Sequence, residues 1–289
     1  WAAVGGLPGL NTASAFGFAR AEGGALHAAV VTDLSDLRYA VYEGGWSSSH
    51  VDAQTVASAA LAVDAEGAAH LAYWSSAKGA EWELRYAAPP AAPAVIVGLG
   101  SNSLEVSRVG IAVTSEALYA LAALQEPGGL HRLVLARRVG AGAWTVETIA
   151  AEDDAGAKLC PGEPQASGEV CDFDYVRYRP LAIVGGAGEE ARFLLARVRY
   201  QGSMIGSCTD LPFPVCSWAL KEDLTSTEVG IGWPSDQGPK WAAAATGGVV
   251  EAATATVDAG GRIHVAAYER AGLEADLWVR YLRLEAAGG

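Results

Sequence analysis

A short pattern of apolar and polar positions recurs along the chain. Residues 57–63 (ASAALAV) are almost uniformly apolar, as in a strand buried on both faces, and residues 64–67 (DAEG) have the composition of a tight turn. Residues 70–74 (HLAYW) predict a second strand, and residues 82–87 (WELRYA) predict a third with mostly alternating polarity. The pattern therefore predicts three successive β-strands in each unit.

Further copies of this unit make the chain a repeat protein. Residues 256–268 (TVDAGGRIHVAAY) match residues 62–74, with the same six-residue interval from aspartate to histidine. The chain has five such units in all. Their equivalent positions are His27, His70, Tyr119, Phe193 and His264, which are 43, 49, 74 and 71 residues apart. Without about 20–25 inserted residues in each of the two longer intervals, the period is that of a propeller blade, about 40–50 residues.

A fourth strand completes most of the units. Residues 46–53 and 144–151 each begin with tryptophan after a turn, and residues 94–98 and 226–233 take this outer place in the second and fourth units. The fifth unit lacks such a strand, whereas the chain begins with the strand-like residues 1–4. We predict an all-β fold, a five-bladed β-propeller closed by the N-terminal strand. The predicted single domain is 1–289, with blades at 12–54, 55–103, 104–152, 175–233, and 249–287 plus 1–8.

The connections between the predicted strands fall on two faces of such a propeller. The first face holds short turns from first to second and from third to fourth strand, such as residues 65–69 and 140–143. The second face holds the long connections, including residues 152–175, 201–216 and 234–249. Because long ordered connections are usually functional, we expect ligands to bind at the second face.

Charge and hydropathy argue against two classes of partner. The chain has 20 Lys and Arg against 33 Asp and Glu, a net charge of −13. Phosphate binding needs clustered cations, so we expect no nucleic-acid partner. No apolar run reaches the roughly 18 residues that a membrane span needs. Loops rich in alanine and glycine are typical of a high-GC bacterial coding sequence.

The four cysteines form two local pairs, without the CxxC spacing typical of zinc sites. We predict the disulfides Cys160–Cys171 and Cys208–Cys216, each in an insertion rich in glycine and proline. Each bridge would stabilise its loop by about 2–3 kcal/mol on the chain-entropy model. The pairs indicate a secreted, periplasmic or cell-surface protein, and the absence of an initial Met indicates a mature or trimmed chain.

The repeated histidines and the acidic loops are the candidates for metal binding. His27, His70 and His264 occupy equivalent places around a ring, so we interpret them as packed, hydrogen-bonded residues near the turns rather than as ligands. No nucleophile or nucleotide-binding motif appears, and we predict no cofactor. The alternative is calcium at Asp153 and Asp154, since calcium prefers six to eight oxygen ligands.

We predict the ligand site at the second face, between the fourth and fifth blades. Inner strands bring their ends together at the channel axis, and this sector combines charged groups with long connections. The predicted ligand-binding residues are Asp172, Asp174, Tyr175, Arg177, Trp241 and Glu251.

The repeated unit D-x-x-G-x-x-H, followed by L-R-Y-A, resembles secreted bacterial propeller repeats of the sialidase-like, Asp-box-like kind. Asp64, Gly67 and His70 carry the resemblance in the second unit, and Asp258 and His264 carry it in the fifth. The resemblance implies the architecture and no particular activity. The S-x-D-x-G-x-T-W box is absent, as are the motifs of five-bladed fructosidases and arabinanases.

From these features we expect a non-enzymatic secreted module that recognises a glycan or a protein partner. The first alternative is a propeller-type glycoside hydrolase or lyase. An enzyme of that class would need two carboxylates across a cleft, about 5–10 Å apart, for which the candidates are Asp172, Asp174, Asp236 and Glu251. The second alternative is a structural subunit of an extracellular assembly. Paired carboxylates in a pocket would favour the enzyme, and exposed aromatic side chains would favour a lectin.

Overall fold

Every regular element that the computed structural model describes is a β-strand. The described residues are 13–32, 34–77, 81–98, 108–125, 131–151, 160, 162–185, 191–209, 215–223, 225–235, 240–247, 249–258, 262–270 and 277–284. The strands form five sheets. The predicted all-β class, with repeated sheets, is therefore confirmed.

Sheets one, two and three are antiparallel meanders of four strands in chain order. Sheet one contains β1 (Ala13–Arg20), β2 (Leu26–Thr32), β3 (Leu37–Tyr42) and β4 (Trp46–Asp52). Sheet two contains β5 (Thr55–Val63), β6 (Ala69–Ser76), β7 (Trp82–Ala87) and β8 (Ala94–Gly98). Sheet three contains β9 (Val109–Val113), β10 (Ala117–Gln125), β11 (His131–Val139) and β12 (Thr145–Ala151).

Sheets four and five depart from this plan. Sheet four has the order β13–β14–β16–β17, and β15 pairs with β14 as well. Its strands are β13 (Val170–Gly185), β14 (Ala191–Cys208), β15 (Cys216–Asp223), β16 (Ser226–Trp233) and β17 (Lys240–Gly247). Sheet five contains β18 (Val249–Val257), β19 (Ile263–Arg270) and β20 (Leu277–Leu284). Residues 1–8, predicted as its fourth strand, lie outside the described residues.

Two predictions for sheet four are wrong. The sequence predicts residues 226–233 as the outer strand, but these residues form β16, which pairs directly with β14, and β17 lies outside it. The sequence also predicts long connections at residues 152–175 and 201–216, whereas β13 begins at Val170 and β14 continues to Cys208. These extensions pair with each other, so their polar residues belong to an exposed ladder rather than to loops.

The aspartate-containing turns explain why the unit repeats. The Asp64 amide donates to the Ala68 carbonyl at 3.0 Å, and Asp64 Oδ1 accepts from the Ala68 amide at 2.7 Å. Gly67 has a φ of 85°, which glycine adopts without a steric penalty. Asp258 and Arg262 make the same two bonds in sheet five, both at 2.9 Å. One side chain thus closes the turn that joins the first two strands of each of these sheets.

The hydrophobic core lies between successive sheets. Sheets two, three and four each bury side chains on both faces, which explains why their strands are so rich in apolar residues. Side chains buried between consecutive sheets include Leu37 with Leu71, Trp74 with Leu118, Leu133 with Phe193, and Leu194 with Val265.

The first strands of all five sheets line one central cavity of about 830 Å³. Small residues predominate in its wall, among them Gly17, Ala59, Gly110, Ala182 and Ala253. Successive first strands contact one another from β1 through β5, β9 and β13 to β18. The first strand of each sheet is therefore innermost, and the turn at its end opens onto the first face.

A buried polar network ties sheet one to sheet two. Asp52 ends β4, and its side chain is only 6% exposed. It accepts hydrogen bonds from the Tyr73 hydroxyl at 3.1 Å and the Ser75 hydroxyl at 3.2 Å. Arg85 donates to it at 3.2 Å and also contacts Glu83 at 2.6 Å. Burial and the neighbouring Asp52 carboxylate raise the pKa of Tyr73 above its usual range.

We expect Asp52→Ala to lower the free energy of unfolding by about 3–5 kcal/mol, because Arg85 and Tyr73 lose a buried partner. In a chain of this size, each kcal/mol corresponds to roughly 2–4 °C in Tm. Thermal and urea unfolding would measure the loss. The exposed Asp172 is a matched control, and Asp172→Ala should stay within about 0.5 kcal/mol of the parent. Equal losses in the two variants would contradict the role of this network.

Candidate functional site

β13 and β14 form a long antiparallel pair that we call the ribbon, residues 170–179 and 196–208. Its ladder places Tyr175 directly opposite Tyr200 and Val170 opposite Ile205. β15 pairs with the far part of β14, from Gly202 to Cys208. The ribbon therefore continues sheet four beyond the part of β14 that pairs with β16.

Both predicted disulfides are present, and they fasten the far end of the ribbon. Cys160 and Cys171 are bonded with a Cα separation of 5.7 Å, and Cys208 and Cys216 with one of 4.0 Å. Cys208 and Cys216 also face each other in the ladder between β14 and β15. Each bridge removes conformational freedom from the segment that it closes.

One side of the ribbon carries what we call the arginine–tyrosine cluster, residues Tyr175, Arg177, Arg179 and Tyr200. Alternate residues of a strand share a side, and directly opposed residues of an antiparallel pair do so too. The rings of Tyr175 and Tyr200 stack at 4.9 Å. The Arg177 guanidinium lies 5.1 Å from the Tyr175 ring, and that of Arg179 lies 5.6 Å from the Tyr200 ring. Arg179 also donates a hydrogen bond to the Tyr200 hydroxyl.

The cluster concentrates positive charge on a protein whose net charge is −13. A guanidinium over an aromatic ring is held there by a cation–π interaction, and it has five N–H donors in its plane. All four side chains are partly buried, so their charges are screened less than those of fully exposed groups. The arrangement suits an anionic group such as a carboxylate or a sulfate.

The opposite side of the ribbon holds the two predicted aspartates. Asp174 accepts two hydrogen bonds from Arg199, at 2.8 Å from Nε and 2.6 Å from a terminal nitrogen. This bidentate pair raises the pKa of Arg199. Asp172 lies on the same side as Asp174, two positions along β13. The structure thus joins Tyr175 and Arg177 but separates them from both aspartates.

The other predicted site residues lie elsewhere. Trp241 is in β17 and packs between sheets three and four, where its ring lies 6.2 Å from that of Tyr178. Glu251 is in β18, and the position of its side chain is outside the described part of the chain. Asp153 and Asp154 are also outside it. Their roles as ligand contacts stay predictions.

Sequence reasoning missed two members of the cluster, Arg179 and Tyr200. The alternation Tyr175-x-Arg177-x-Arg179 is visible in the sequence once the segment is taken as a strand rather than as a loop. Tyr200 could not be found in this way, because its place opposite Tyr175 depends on the pairing register of two segments 25 residues apart.

The repeated histidines form hydrogen-bonded relays, in agreement with their interpretation as packed residues near the turns. His70 Nδ1 lies 2.7 Å from the Tyr86 hydroxyl, and its Nε2 lies 2.9 Å from Asp64. His264 makes the same contacts in sheet five, at 2.5 Å to Tyr281 and 3.1 Å to Asp258. The tyrosine partners, which sequence reasoning missed, come from the third strand of each sheet.

Sheet one shows what happens when the aspartate is missing. His27 Nδ1 lies 2.6 Å from the Tyr39 hydroxyl, but Ala21 occupies the place that Asp64 has in sheet two. Within the described residues, His27 Nε2 is buried and has no hydrogen-bond partner. Burial lowers the pKa of His27, which favours the neutral ring, although Glu43 opposes the shift.

The described residues also bear on metals and membranes. No group of three or more His, Cys, Asp or Glu side chains in them is arranged to hold a metal ion. None of them forms a helix that is long and apolar enough to span a membrane.

Comparisons with known proteins show a fold likeness. No protein-family model matches the chain, and no curated protein matches its sequence. An ulvan lyase, from a new family of polysaccharide lyases, is 11% identical, with a TM-score of 0.50 over 93% of this chain and 68% of that chain. The same values hold for its structure bound to -[GlcA(1-4)Rha3S]-. The polysaccharide lyase Uly1 is 11% identical, with a TM-score of 0.45 over 92% of this chain and 56% of that one.

These comparisons correct the main expectation from the sequence. A non-enzymatic recognition module is contradicted, because the solved structures that share the fold include polysaccharide lyases. The enzymatic alternative, a glycoside hydrolase or lyase, fits these structures better. No family model supports sialidase-like or Asp-box repeats.

We expect Asp64→Asn to destabilise the protein near neutral pH but not in acid. Burial by itself raises the pKa of Asp64, but hydrogen bonds from His70 and the Ala68 amide outweigh it and hold the pKa below the ordinary 3.8. A carboxylate whose pKa is lower in the folded state than in the unfolded state stabilises the fold at pH values above the unfolded-state pKa. This stabilisation is lost as the pH falls through the folded-state pKa.

Urea unfolding of the parent and of Asp64→Asn at several pH values would measure this effect. The difference in unfolding free energy should be about 1–2 kcal/mol near neutral pH and shrink below about pH 4. Glu66→Gln, in the same turn, is the control and should show no such pH dependence. A difference that persists unchanged into acid would show that the Asp64 carboxylate does not stabilise the turn by its charge.

Proposed function

We propose that this protein is a polysaccharide lyase that acts on an acidic polysaccharide at the arginine–tyrosine cluster. The observation that carries the proposal is the placement of two guanidiniums and two phenols on one side of the same strand pair. The fold likeness to an ulvan lyase, whose structure was solved with -[GlcA(1-4)Rha3S]-, supports an acidic glycan as the partner.

Elimination at a uronate needs three contributions from a protein. The carboxylate must be neutralised, so that the C5 proton becomes more acidic. One group takes the C5 proton, and another protonates the leaving oxygen as the C4–O bond breaks and a C4–C5 double bond forms. We assign the carboxylate to Arg177, because a guanidinium binds carboxylates through two parallel hydrogen bonds. Tyr175 and Tyr200 are assigned to the proton transfers, since a tyrosine hydroxyl serves as acid or base.

Arg179 supports the assignment of Tyr200. Its guanidinium donates to the Tyr200 hydroxyl, so a positive charge adjoins the oxygen that becomes negative when the proton leaves. A fixed cation at the place where negative charge develops lowers the barrier without reorganisation during the reaction. Arg179 is thus a positioning and electrostatic partner, whereas Arg177 contacts the substrate.

The carboxylates of the ribbon favour a lyase over a hydrolase. Hydrolysis needs two carboxyl groups about 5–10 Å apart, on either side of the glycosidic bond. Asp174 is bonded through both oxygens to Arg199, and it lies with Asp172 on the side away from the cluster. Elimination needs no carboxylate pair, and the cluster supplies the groups that elimination does need.

The compartment follows from the cysteines. Two disulfides suggest an oxidising environment, because cytosolic thiols are kept reduced. We propose that the protein is secreted, periplasmic or displayed on the cell surface, where polymeric glycans are accessible.

We further propose that the whole chain is a single five-bladed propeller in which sheet five packs against sheet one. Phe18 on sheet one is 58% exposed, and Val279 and Tyr281 on sheet five are 68% and 61% exposed. These side chains lie on the sides of their sheets that face away from sheets two and four. Apposition of the two apolar sides, with residues 1–8 as the outer strand of sheet five, would bury them and close the ring.

Deletion of residues 1–7 tests this closure. We expect the Tm to fall by several degrees, since the loss of 1 kcal/mol in a chain of this size lowers it by about 2–4 °C. Differential scanning calorimetry of the full and shortened chains measures the effect. An unchanged Tm would rule out the N-terminal strand as the element that closes the ring.

The lyase activity itself is tested with a panel of uronate-containing polysaccharides. The growth of ultraviolet absorbance from the conjugated C4–C5 double bond reports the reaction. We expect Arg177→Ala to lower kcat/KM by about tenfold to a hundredfold, through both kcat and KM, because the variant loses a charge-assisted contact to the substrate and no longer neutralises the carboxylate as the C5 proton leaves. Tyr200→Phe should lower kcat by about a hundredfold or more, because it removes a proton-transfer group.

The matched control for these variants is Arg137→Ala. Arg137 also lies over a tyrosine ring, at 5.9 Å from Tyr119, but both residues belong to sheet three and neither is part of the ribbon. It should leave kcat/KM unchanged. The proposal fails if no acidic polysaccharide yields unsaturated products, or if Arg137→Ala impairs turnover as much as Arg177→Ala does.

A further inference from the structure

A second cavity, of about 510 Å³, lies at the first face between sheets two and three. We call it the turn cavity. Its wall is formed by the turns after β5 and β9 and by the end of β11, with the polar residues Asp64, Glu66, His70, Ser115, Glu116 and Arg138. Its volume is within the range of small-molecule sites, about 300–1,000 Å³. It lies at the ends of β5 and β9, whereas the ribbon extends from the opposite end of the first strand of sheet four.

Arg138 is the feature of the turn cavity that packing alone does not explain. Its guanidinium lies 4.3 Å from the Tyr86 ring and 5.2 Å from the Trp144 ring. Among the described residues no carboxylate is within ion-pair distance of it, and its buried Nε has no hydrogen-bond partner. The guanidinium also makes a side-chain hydrogen bond with Tyr86, and the other donors on its edge can serve a ligand.

The cavity also contains a carboxylate, that of Glu66. Glu66 lies in the turn after β5, and in the described part of the chain it has no ion-pair partner. Ser115, in the turn after β9, adds a hydroxyl that both donates and accepts. By contrast, Asp64 and His70 are bonded to each other and to Tyr86, so they form a rigid wall.

We infer that the turn cavity binds a neutral saccharide unit, with Arg138 donating and Glu66 accepting hydrogen bonds. A guanidinium and a carboxylate that do not pair with each other call for a ligand with both acceptors and donors. Neighbouring sugar hydroxyls present both without a net charge. An anion would meet Glu66 and Glu116, and a simple cation would meet Arg138. This site lies outside the arginine–tyrosine cluster and does not depend on its activity.

Such a site would add a second attachment point for a polymeric glycan. Two sites on one rigid body raise the effective concentration of the polymer at each of them. The turn cavity would hold neutral units of a chain or of a neighbouring glycan while the second face holds acidic ones. No chemical step takes place in the cavity.

Calorimetric titration and ligand-observed NMR with cellotetraose, maltotetraose, mannotetraose and xylotetraose test the inference. At least one of these neutral probes should bind, and Arg138→Gln should weaken it at least tenfold. Since Arg138 packs on two rings, Glu66→Gln is the second variant. It changes an exposed turn and should weaken the same probe severalfold with no change in Tm.

Two controls locate the binding. Glu22→Gln alters the corresponding turn of sheet one and should leave the Kd unchanged. Arg177→Ala, at the second face, should also leave it unchanged, whether or not the protein is a lyase. The inference is overturned if none of the four probes binds, or if both cavity variants bind the probe as the parent does. It is also overturned if free serine, a zwitterion, binds more tightly than the sugar and displaces it.

Discussion

The pairing register of β13 and β14 is the constraint on which the proposed site depends. Alternate residues of a strand face opposite sides, so a shift of one residue would move Tyr175 and Arg177 away from Tyr200. The bidentate bond between Asp174 and Arg199 opposes such a shift on the other side of the ribbon. Asp174 therefore supports the register of the ribbon, and ligand contacts at Asp172 and Asp174 stay predictions.

β15 adds a third strand to the ribbon by pairing with β14 from Gly202 to Cys208. A Cβ atom at Gly202 would clash with the Glu222 carbonyl oxygen and would lie 2.8 Å from the Phe173 ring, so β14 and β15 meet at a place where only glycine fits. Beyond this point the bond between Cys208 and Cys216 closes the pair covalently. The cluster thus stands at the base of a stiff, three-stranded extension.

Repetition separates the residues that build the fold from those that we connect with function. The relay of aspartate, histidine and tyrosine recurs in sheets two and five, and the same turn closes without the aspartate in sheet one. Because each copy makes the same hydrogen bonds within its own sheet, we interpret this repeated relay as architectural. The ribbon and its cluster have no counterpart in the other described sheets, and they interrupt the repeat.

The regular sheets could be predicted from the sequence because their signals are local. Asp64, Gly67 and His70 mark a turn and the start of a strand within seven residues, and the repeat shows the same signals again. The ribbon could not be predicted in this way, because polar residues near glycine and proline are equally typical of loops. The contact of Arg179 with Tyr200 depends on pairing across the chain, which no local pattern contains. Both disulfides were predictable because each joins cysteines that are close in sequence.

Mass spectrometry of the products from an acidic polysaccharide tests the central claim most directly. Elimination leaves an unsaturated sugar at the new non-reducing end, so each fragment with such an end is lighter by one water than its counterpart from hydrolysis. We expect the parent protein to release unsaturated fragments and the Tyr200→Phe variant to release none. Saturated fragments would show a hydrolase, and intact polymer across a panel of acidic polysaccharides would contradict a lyase at this cluster.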